Sequence, residues 1–416
     1  MPNNSLIKPE LLAPAQNWAS LRKIGGLADA IYFGVKSYNM RSNAKNFERE
    51  DLKDIVDFCR HQKPAIKTYL ATNILIYDSE LQDLESLISN AKKAGIDALI
   101  AHDVAIIKFA NREKIKFHIS TQANVSNVES AKFYETLGAE RIILARELSL
   151  NQIKLIKHHL NKAQIECFVH GSMCTSISGR CYLSATICDS EEFSANRGKC
   201  VQPCRREWRV IDDENNEFLY DGQMFLNTKD LNMIEHIPKL INANIDAFKI
   251  EGRMKDPLYI ETVTACYREA IDSAFNDTYS KEKVRGWLER LTKVYNRGFH
   301  TGFYFNRPTV EDIELEQRGN VSPYKKHYLG KVLSFNTNSM TANVLIEIKE
   351  FNLKLGDEII VIGNETYHHQ KIKHMVFKGE KIQNIYKKQY DNPFKVNLRL
   401  SKEVQKDDNI YIIYQT

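Results

Sequence analysis

The stretch AIKTYLATNILIYDSELQDLESLISNAKKAGIDALIAH, residues 65–102, decides the fold. Ala65–Leu70 is a short run dominated by apolar, aromatic and β-branched residues, the composition of a buried strand. Leu81–Ala94 sets Leu81, Leu84, Leu87, Ile88 and Ala91 three and four residues apart, which is one face of a helix. Ala98–His102 (ALIAH) is a second apolar run. Strand, helix and strand in this order form a right-handed crossover, so the two strands are parallel.

The same unit recurs from residue 10 to 275. Strands are expected at Glu10–Ala13, Ala30–Val35, Ala65–Leu70, Ala98–His102, Lys116–Thr121, Arg141–Ala145, Glu166–His170 and Ala247–Glu251. Amphipathic helices are expected at Glu50–His61, Leu81–Ala94, Val128–Leu137, Leu150–Leu160 and Leu231–Ile241, and near Tyr259–Ala274. Eight such units close into a (β/α)8 barrel of the α/β class. The competing doubly wound open sheet is weaker, because no G-x-G-x-x-G follows the first strand.

The expected layout is a barrel over residues 1–300, a cysteine-bearing insertion over 171–230, a linker over 301–327 and a small all-β domain over 328–416. The insertion follows a strand, so it should hang over the face where barrels carry their active sites. The turn-rich run NRGFHTGFYFNRP leads into the linker. Beyond it, LGKVLSF, TANVLIEI, LGDEIIVIG, NPFKVNLRL and DNIYIIYQT are short strands of a small barrel, a type that often contacts nucleic acid.

A chain of 416 residues with 43% hydrophobic and 27% charged residues has the composition of a globular protein. MPNNSLIKPELLAPA lacks the pattern of a signal peptide, and no run approaches the ~20 apolar residues that cross a bilayer. A cytoplasmic location with reduced thiols is the expectation. Net charge is +5, and residues 321–416 carry 15 Lys and Arg against 10 Asp and Glu, so the rest of the chain balances. The excess suits a polyanion such as RNA and equally suits a solvated lysine-rich surface.

Half of the eight cysteines lie in HGSMCTSISGRCYLS and NRGKCVQPCRREW, as Cys174, Cys181, Cys200 and Cys204. The spacing is C-x6-C-x18-C-x3-C, and only the second pair resembles a zinc knuckle. Iron–sulfur clusters accept wider spacings. Gly171, Gly179 and Gly198 let the backbone fold tightly, and Arg180, Arg197, Arg205 and Arg206 supply positive charge beside thiolates. A [4Fe-4S] cluster is the first reading and zinc the second, with Cys188 as an alternative ligand. Cys59, Cys167 and Cys266 sit on apolar faces and read as small core residues.

Polar side chains collect at the strand ends: Asn73, His102, Gln122, Asn124, Arg146, Glu147, His170, Glu251 and Arg253. Each alone is more often a solvated or capping group, but convergence from several strands marks a barrel active site. In KIEGR, alternation puts Lys249, Glu251 and Arg253 on one face, where three ionisable groups require mutual pairing or a charged ligand. Such a ligand would be a small carboxylate or a phosphate. H-E-x-x-H and G-x-S-x-G are absent, and Cys174 with His170 has no assured contact, so the residues give proteolysis little support.

The segment ECFVHGSMCTSISGRCYLS, with NRGKCVQPCR after it, resembles the signature of peptidase family U32, the collagenase-like proteases. PELLAPA, STQANVSN, ILARELSL, FKIEGRMKDP and NRGFHTGFY resemble further family blocks, so the likeness spans nearly the whole chain. The barrel with a short β domain is most similar to the prephenate-dependent tRNA uridine hydroxylase branch. That resemblance implies 5-hydroxylation of a wobble uridine, a [4Fe-4S] cluster on Cys174, Cys181, Cys200 and Cys204, and tRNA as partner. Placement of the fourth ligand varies among branches, and the insertion before FLNTKDL is short in this chain.

On this reading Arg146, Lys249 and Arg253, with Gln122, hold prephenate or a similar carboxylated metabolite. Glu251, His170 and Glu147 are the candidates for acid–base work. The target base would be taken out of its stack to reach the barrel. The competing readings are a U32 peptidase and a zinc-stapled RNA-binding scaffold.

Overall fold

The computed structural model describes residues 7–218, 224–347, 352–385 and 393–415. Of the segments discussed above, residues 1–6, 219–223, 348–351, 386–392 and Thr416 lie outside the described residues. The chain divides into two compact units, one of Met1–Gln16 with Ile24–Val321 and one of Asn17–Lys23 with Ser322–Thr416.

In the first unit, β1 (Glu10–Pro14), β2 (Ala30–Phe33), β3 (Lys67–Thr72), β4 (Ala98–Ala101), β5 (Lys116–Ile119), β6 (Arg141–Ile143) and β7 (Gln164–Ser172) lie side by side in chain order. In the insertion, β8 (Val210–Ile211) and β9 (Glu217–Phe218) form a small hairpin, and β10 (Asp230–Asn232) follows. The eighth barrel strand is β11 (Ala247–Ile250), which pairs in parallel with both β1 and β7 and closes the cylinder. The structure is the expected closed (β/α)8 barrel. Its strands are buried on both faces, which is why they read as unbroken apolar runs.

Helices α1 (Trp18–Ile24), α2 (Leu52–Arg60), α3 (Leu81–Ala94), α4 (Val104–Glu113), α5 (Val128–Thr136) and α6 (Leu150–His159) alternate with the strands. On α3, Leu84, Leu87, Ile88, Ala91 and Ala94 are buried, the face that the spacing marked out. Then come α7 (Leu183–Cys188) within the insertion, α8 (Ile237–Ile241), α9 (Pro257–Phe275) and α10 (Lys281–Thr292). Asp256 caps α9 by accepting from the Tyr259 amide at 3.0 Å, and Pro257 fills a first-turn position that has no use for an N–H.

The helix expected over Leu231–Ile241 begins later. Asp230–Asn232 is instead a strand, antiparallel to the long end of β7, with Leu231 opposite Gly171. Its other edge pairs with β12 (Phe299–His300). Residues 301–321, expected as linker, belong to the barrel unit. There the Tyr304 hydroxyl donates to the Phe168 carbonyl at 2.6 Å, and Ile313 bridges to Thr228.

The barrel interior carries charge. Arg141 Nη1 lies 2.6 Å from Glu10 Oε1 and 3.1 Å from Glu166 Oε2, and Lys249 Nζ lies 2.7 Å from Glu166 Oε1. Buried ions of this kind persist only when paired and hydrogen-bonded, and the alternation of sign along the chain of contacts provides that.

The second unit is an eight-stranded antiparallel sheet. Its spatial order is Tyr367–Lys371, Glu358–Ile362, Asn409–Gln415, Tyr324–Asn336, Thr341–Ile346, Phe394–Arg399, Met375–Phe377 and Glu380–Lys381. Val332, Val344, Ile359, Val361, Val396, Ile410 and Ile412 form its core. Among the described residues no pairing joins the two edge strands, so what is described is a sheet rather than a closed barrel. Asn17–Lys23 completes this unit: the Asn364 carbonyl accepts from the Ala19 amide at 3.1 Å.

Candidate active site

Where β7 ends, the chain turns over the barrel mouth and the two cysteine pairs fold back across it. Gly179, at φ +93°, lies so close to the Gln122 carbonyl that a Cβ there would collide with it, and Gly198, at φ +80°, is in the same position against Asn39. Only glycine tolerates both the left-handed backbone and the approach. Side chains then pin the loop. Glu147 Oε1 accepts from the Ser178 amide at 2.6 Å, Asn196 Oδ1 from the Cys181 amide at 3.2 Å, and Ser184 Oγ from the Val201 amide at 3.1 Å. Arg197 reaches Glu80 Oε2 at 2.9 Å.

This fold-back encloses a cavity of about 170 Å³. Cys174, Cys181, Cys200 and Cys204 all line it, together with Arg41, Gln122, Arg146, Arg205, Glu251, Lys255, Tyr295 and Arg297. A second cavity of about 50 Å³ lies among the strand ends, lined by Tyr32, Asn73, Lys249 and Arg253 among others, and it shares Arg41, Gln122, Arg146 and Glu251 with the first. Lys249, Glu251 and Arg253 thus face one space, as the alternation requires.

The electrostatics of the site are set by its arginines. At Cys174 burial raises the thiol pKa, but the guanidinium groups of Arg146, Arg41 and Arg205 outweigh it and hold the thiol below its ordinary value. Burial pushes Cys200 and Cys204 up, and the neighbouring cysteine thiols add to the rise. Glu251 is opposed by burial yet held low by Arg41, with Arg146 and Arg253 assisting. Its Oε1 accepts from Arg41 Nη2 at 3.0 Å and Nε at 3.3 Å, while Oε2 meets the Tyr32 hydroxyl at 3.3 Å. Burial brings Arg253 down to about 10 and Lys255 to about 7. Arg253 Nε is buried without a hydrogen-bond partner.

Several residues singled out in the sequence stand elsewhere. His170 lines neither cavity: it is buried against Tyr259, Tyr267 and Phe299, with Nδ1 3.3 Å from the Tyr267 hydroxyl. Burial brings it down to about 4, so it is neutral near pH 7. Glu147 also lies outside both cavities and acts on the loop through Ser178. His102, half-buried with an enclosed and unpartnered Nδ1, and Asn124, at the end of a short helical turn, line neither cavity. Cys188 ends α7 and is likewise absent from both walls. Among the described residues no three His, Cys, Asp or Glu side chains stand close enough to share a single metal ion.

The structure places Arg205, one of the four arginines expected beside the thiolates, in the cavity wall. Reading the sequence missed Arg41, Lys255 and Arg297. Two of them lie inside motifs already quoted, Lys255 in KIEGRMKDP and Arg297 in NRGFH. Arg41 follows the second strand in a polar loop that carries no motif of its own.

Residues 17–314 match the profile of peptidase family U32. The chain is 36% identical to a collagenase of Porphyromonas gingivalis over 97% of both chains. It is 35% identical to tRNA hydroxylation protein P1 of Bacillus subtilis, covering 86% of this chain and 84% of that one. It is also 38% identical to the 23S rRNA 5-hydroxycytidine C2501 synthase of Escherichia coli, over 76% of this chain and 46% of the relative, so it spans about half of that protein.

Proposed function

The chain belongs to peptidase family U32, and from that premise we propose that it hydroxylates a pyrimidine of RNA, with the wobble uridine of tRNA as substrate and prephenate as co-substrate. The observation that carries this reading is the cavity walled by Cys174, Cys181, Cys200 and Cys204 beside Arg41, Arg146 and Glu251. Two of the three relatives described above are named for hydroxylating RNA.

Four thiols spread around a cavity suit a cluster several ångströms across, and the arginines beside them favour thiolates. Cys174, Cys181, Cys200 and Cys204 would hold a [4Fe-4S] cluster, which when bound would supply electron transfer or activate the oxygen donor. Arg146 and Arg253 bind the carboxylates of the co-substrate, and Gln122 offers an amide shared by both cavities. Glu251, kept ionised by Arg41, orients donors and can accept a proton but not deliver one at neutral pH. Lys255, near 7, is the cavity group whose proton moves in that range. The loop that closes over the mouth excludes water from an extruded base.

Mass spectrometry of tRNA nucleosides from a deletion strain tests the reading. Loss of a hydroxylated uridine, restored by the wild-type gene and not by a Glu251→Gln variant, supports it; an unchanged nucleoside profile overturns it. Metal analysis of anaerobically purified protein is its companion, with iron and sulfide expected and zinc favouring a scaffold.

One observation favours a peptidase instead: Cys174 lines the cavity with its thiol held low by three arginines, and one relative is named a collagenase. No histidine lines either cavity to act as its base. Gelatin cleavage that is lost in Cys174→Ala and indifferent to iron would establish this second reading.

A further inference from the structure

The antiparallel sheet of the second unit has one face on its core; its other face is covered at Ile360, which is buried opposite Tyr411, and open from Tyr328 toward Lys331 and Lys395. Ala342, Val344, Ile359, Val361, Ile410 and Ile412 point inward, so the residues alternating with them point out. On the outer face Tyr328 stands opposite Tyr411 on the neighbouring strand. Tyr328 is 37% exposed, and the two rings meet edge to face with centroids 5.7 Å apart. Its hydroxyl is tied to Glu347 Oε2 at 2.7 Å, which fixes the ring.

Cations flank this pair. Lys326, two residues before Tyr328, holds its Nζ 5.4 Å from the centre of the Tyr411 ring. Past the irregularity between Tyr328 and Gly330, Lys331 stands opposite Leu345, and Leu345 opposite Lys395. Leu345 alternates with the inward Val344 and Ile346, which puts Lys331 and Lys395 on the outward side. The whole positive excess of the chain lies in residues 321–416.

We propose that this face is a stacking platform for a single-stranded segment of RNA, with a base on Tyr328, whose ring Tyr411 buttresses, and phosphates on Lys326, Lys331 and Lys395. The inference rests on the RNA-directed reading above and supplies a docking surface for it. Because the rings meet edge to face and Lys326 lies over Tyr411, the pair offers one base a place on the more exposed ring, Tyr328, with Tyr411 buttressing it, and every base has a π face to match. A duplex keeps its bases stacked on each other and gains nothing from the rings. The lysines answer the backbone charge, which makes a polyanion the occupant that fits.

The test uses full-length protein and fluorescence anisotropy with a short labelled oligouridylate and a blunt RNA duplex. Tyr328→Ala and Tyr411→Ala should each weaken single-strand binding about tenfold. Tyr328→Phe and Tyr411→Phe should keep it, because the ring rather than the hydroxyl makes the contact. Lys331→Gln and Lys395→Gln should each lower the salt slope by about 0.7. Wild-type affinity in both alanine variants, or a duplex bound as tightly as the single strand, overturns the platform. The nucleoside profile of the deletion strain is independent of these titrations: if hydroxylation is confirmed while the alanine variants bind normally, the platform alone falls. If the nucleosides are unchanged, the hydroxylase reading falls whatever the variants bind.

Discussion

Arg41 and Glu251, 210 residues apart in the chain, meet at 3.0 Å across the barrel mouth, and the guanidinium keeps the carboxylate ionised there against its burial. One comes from the loop after the second strand and the other from the end of the last. The pair therefore ties together the two ends of the barrel's closure as well as its two cavities.

Arg41→Met should lower the unfolding free energy by about 3 kcal/mol, since it strands a buried carboxylate. Arg41→Lys should recover part of the loss, because one ammonium replaces two N–H donors that converge on Oε1. Urea unfolding at neutral pH measures both. A Met variant as stable as wild type would show that the pair is decoration.

Acid should weaken the barrel from inside. Glu10 is opposed by burial but brought down to about 2 by Arg141 and Lys67. Its folded value lies below the unfolded one of 4.5, so its contribution is complete above pH 4.5 and disappears as pH falls from 4.5 toward 2. The size is about 3 kcal/mol. Glu10→Gln should flatten that part of the stability profile; an unaltered slope in urea midpoints would contradict the account.

His170 should matter to stability and not to turnover. Because burial brings it from 6.5 to about 4, the folded state resists its protonation, and stability falls as pH drops through that window. In His170→Phe the drop between pH 6.5 and 4 should shrink, while the pH dependence of hydroxylation by purified enzyme stays as in wild type. A lost basic or acidic limb in the rate profile would return His170 to the chemistry.

Serine at Cys174, Cys181, Cys200 or Cys204 should each abolish stable iron incorporation, whereas Cys188→Ser should retain the iron of the wild type. Gly179→Ala should also lose iron with its circular dichroism preserved, since the added methyl lifts the loop from Gln122 and leaves the barrel alone. Iron and sulfide assays on anaerobic preparations decide it. Iron lost only from the Cys188 variant would redraw the site.

The barrel was legible because parallel strands buried on both sides carry an apolar signal that turns cannot imitate. The position of Lys249, Glu251 and Arg253 followed from alternation alone. His170 defeated the same rule. Glu166 and Phe168 face inward, but between Phe168 and His170 the pairing with β11 slips by one residue, so that His170 lies opposite Ile250 and turns toward α9. Leu231 was misread because its spacing to Ile234 and Ile241 fits a helix, while its actual partner is Gly171, 60 positions back and invisible to local periodicity. Arg41 could not be found that way either, since its significance arises only on meeting Glu251.

Asn17–Lys23 leaves a consequence for dissecting the chain. Asn17 and Ala19, almost wholly buried, bond to Gly363 and Asn364, about 345 positions further along the chain. A single proteolytic cut between the two segments therefore frees a fragment that lacks one of its own pieces, and excising the sheet for separate study requires grafting the heptapeptide back onto it.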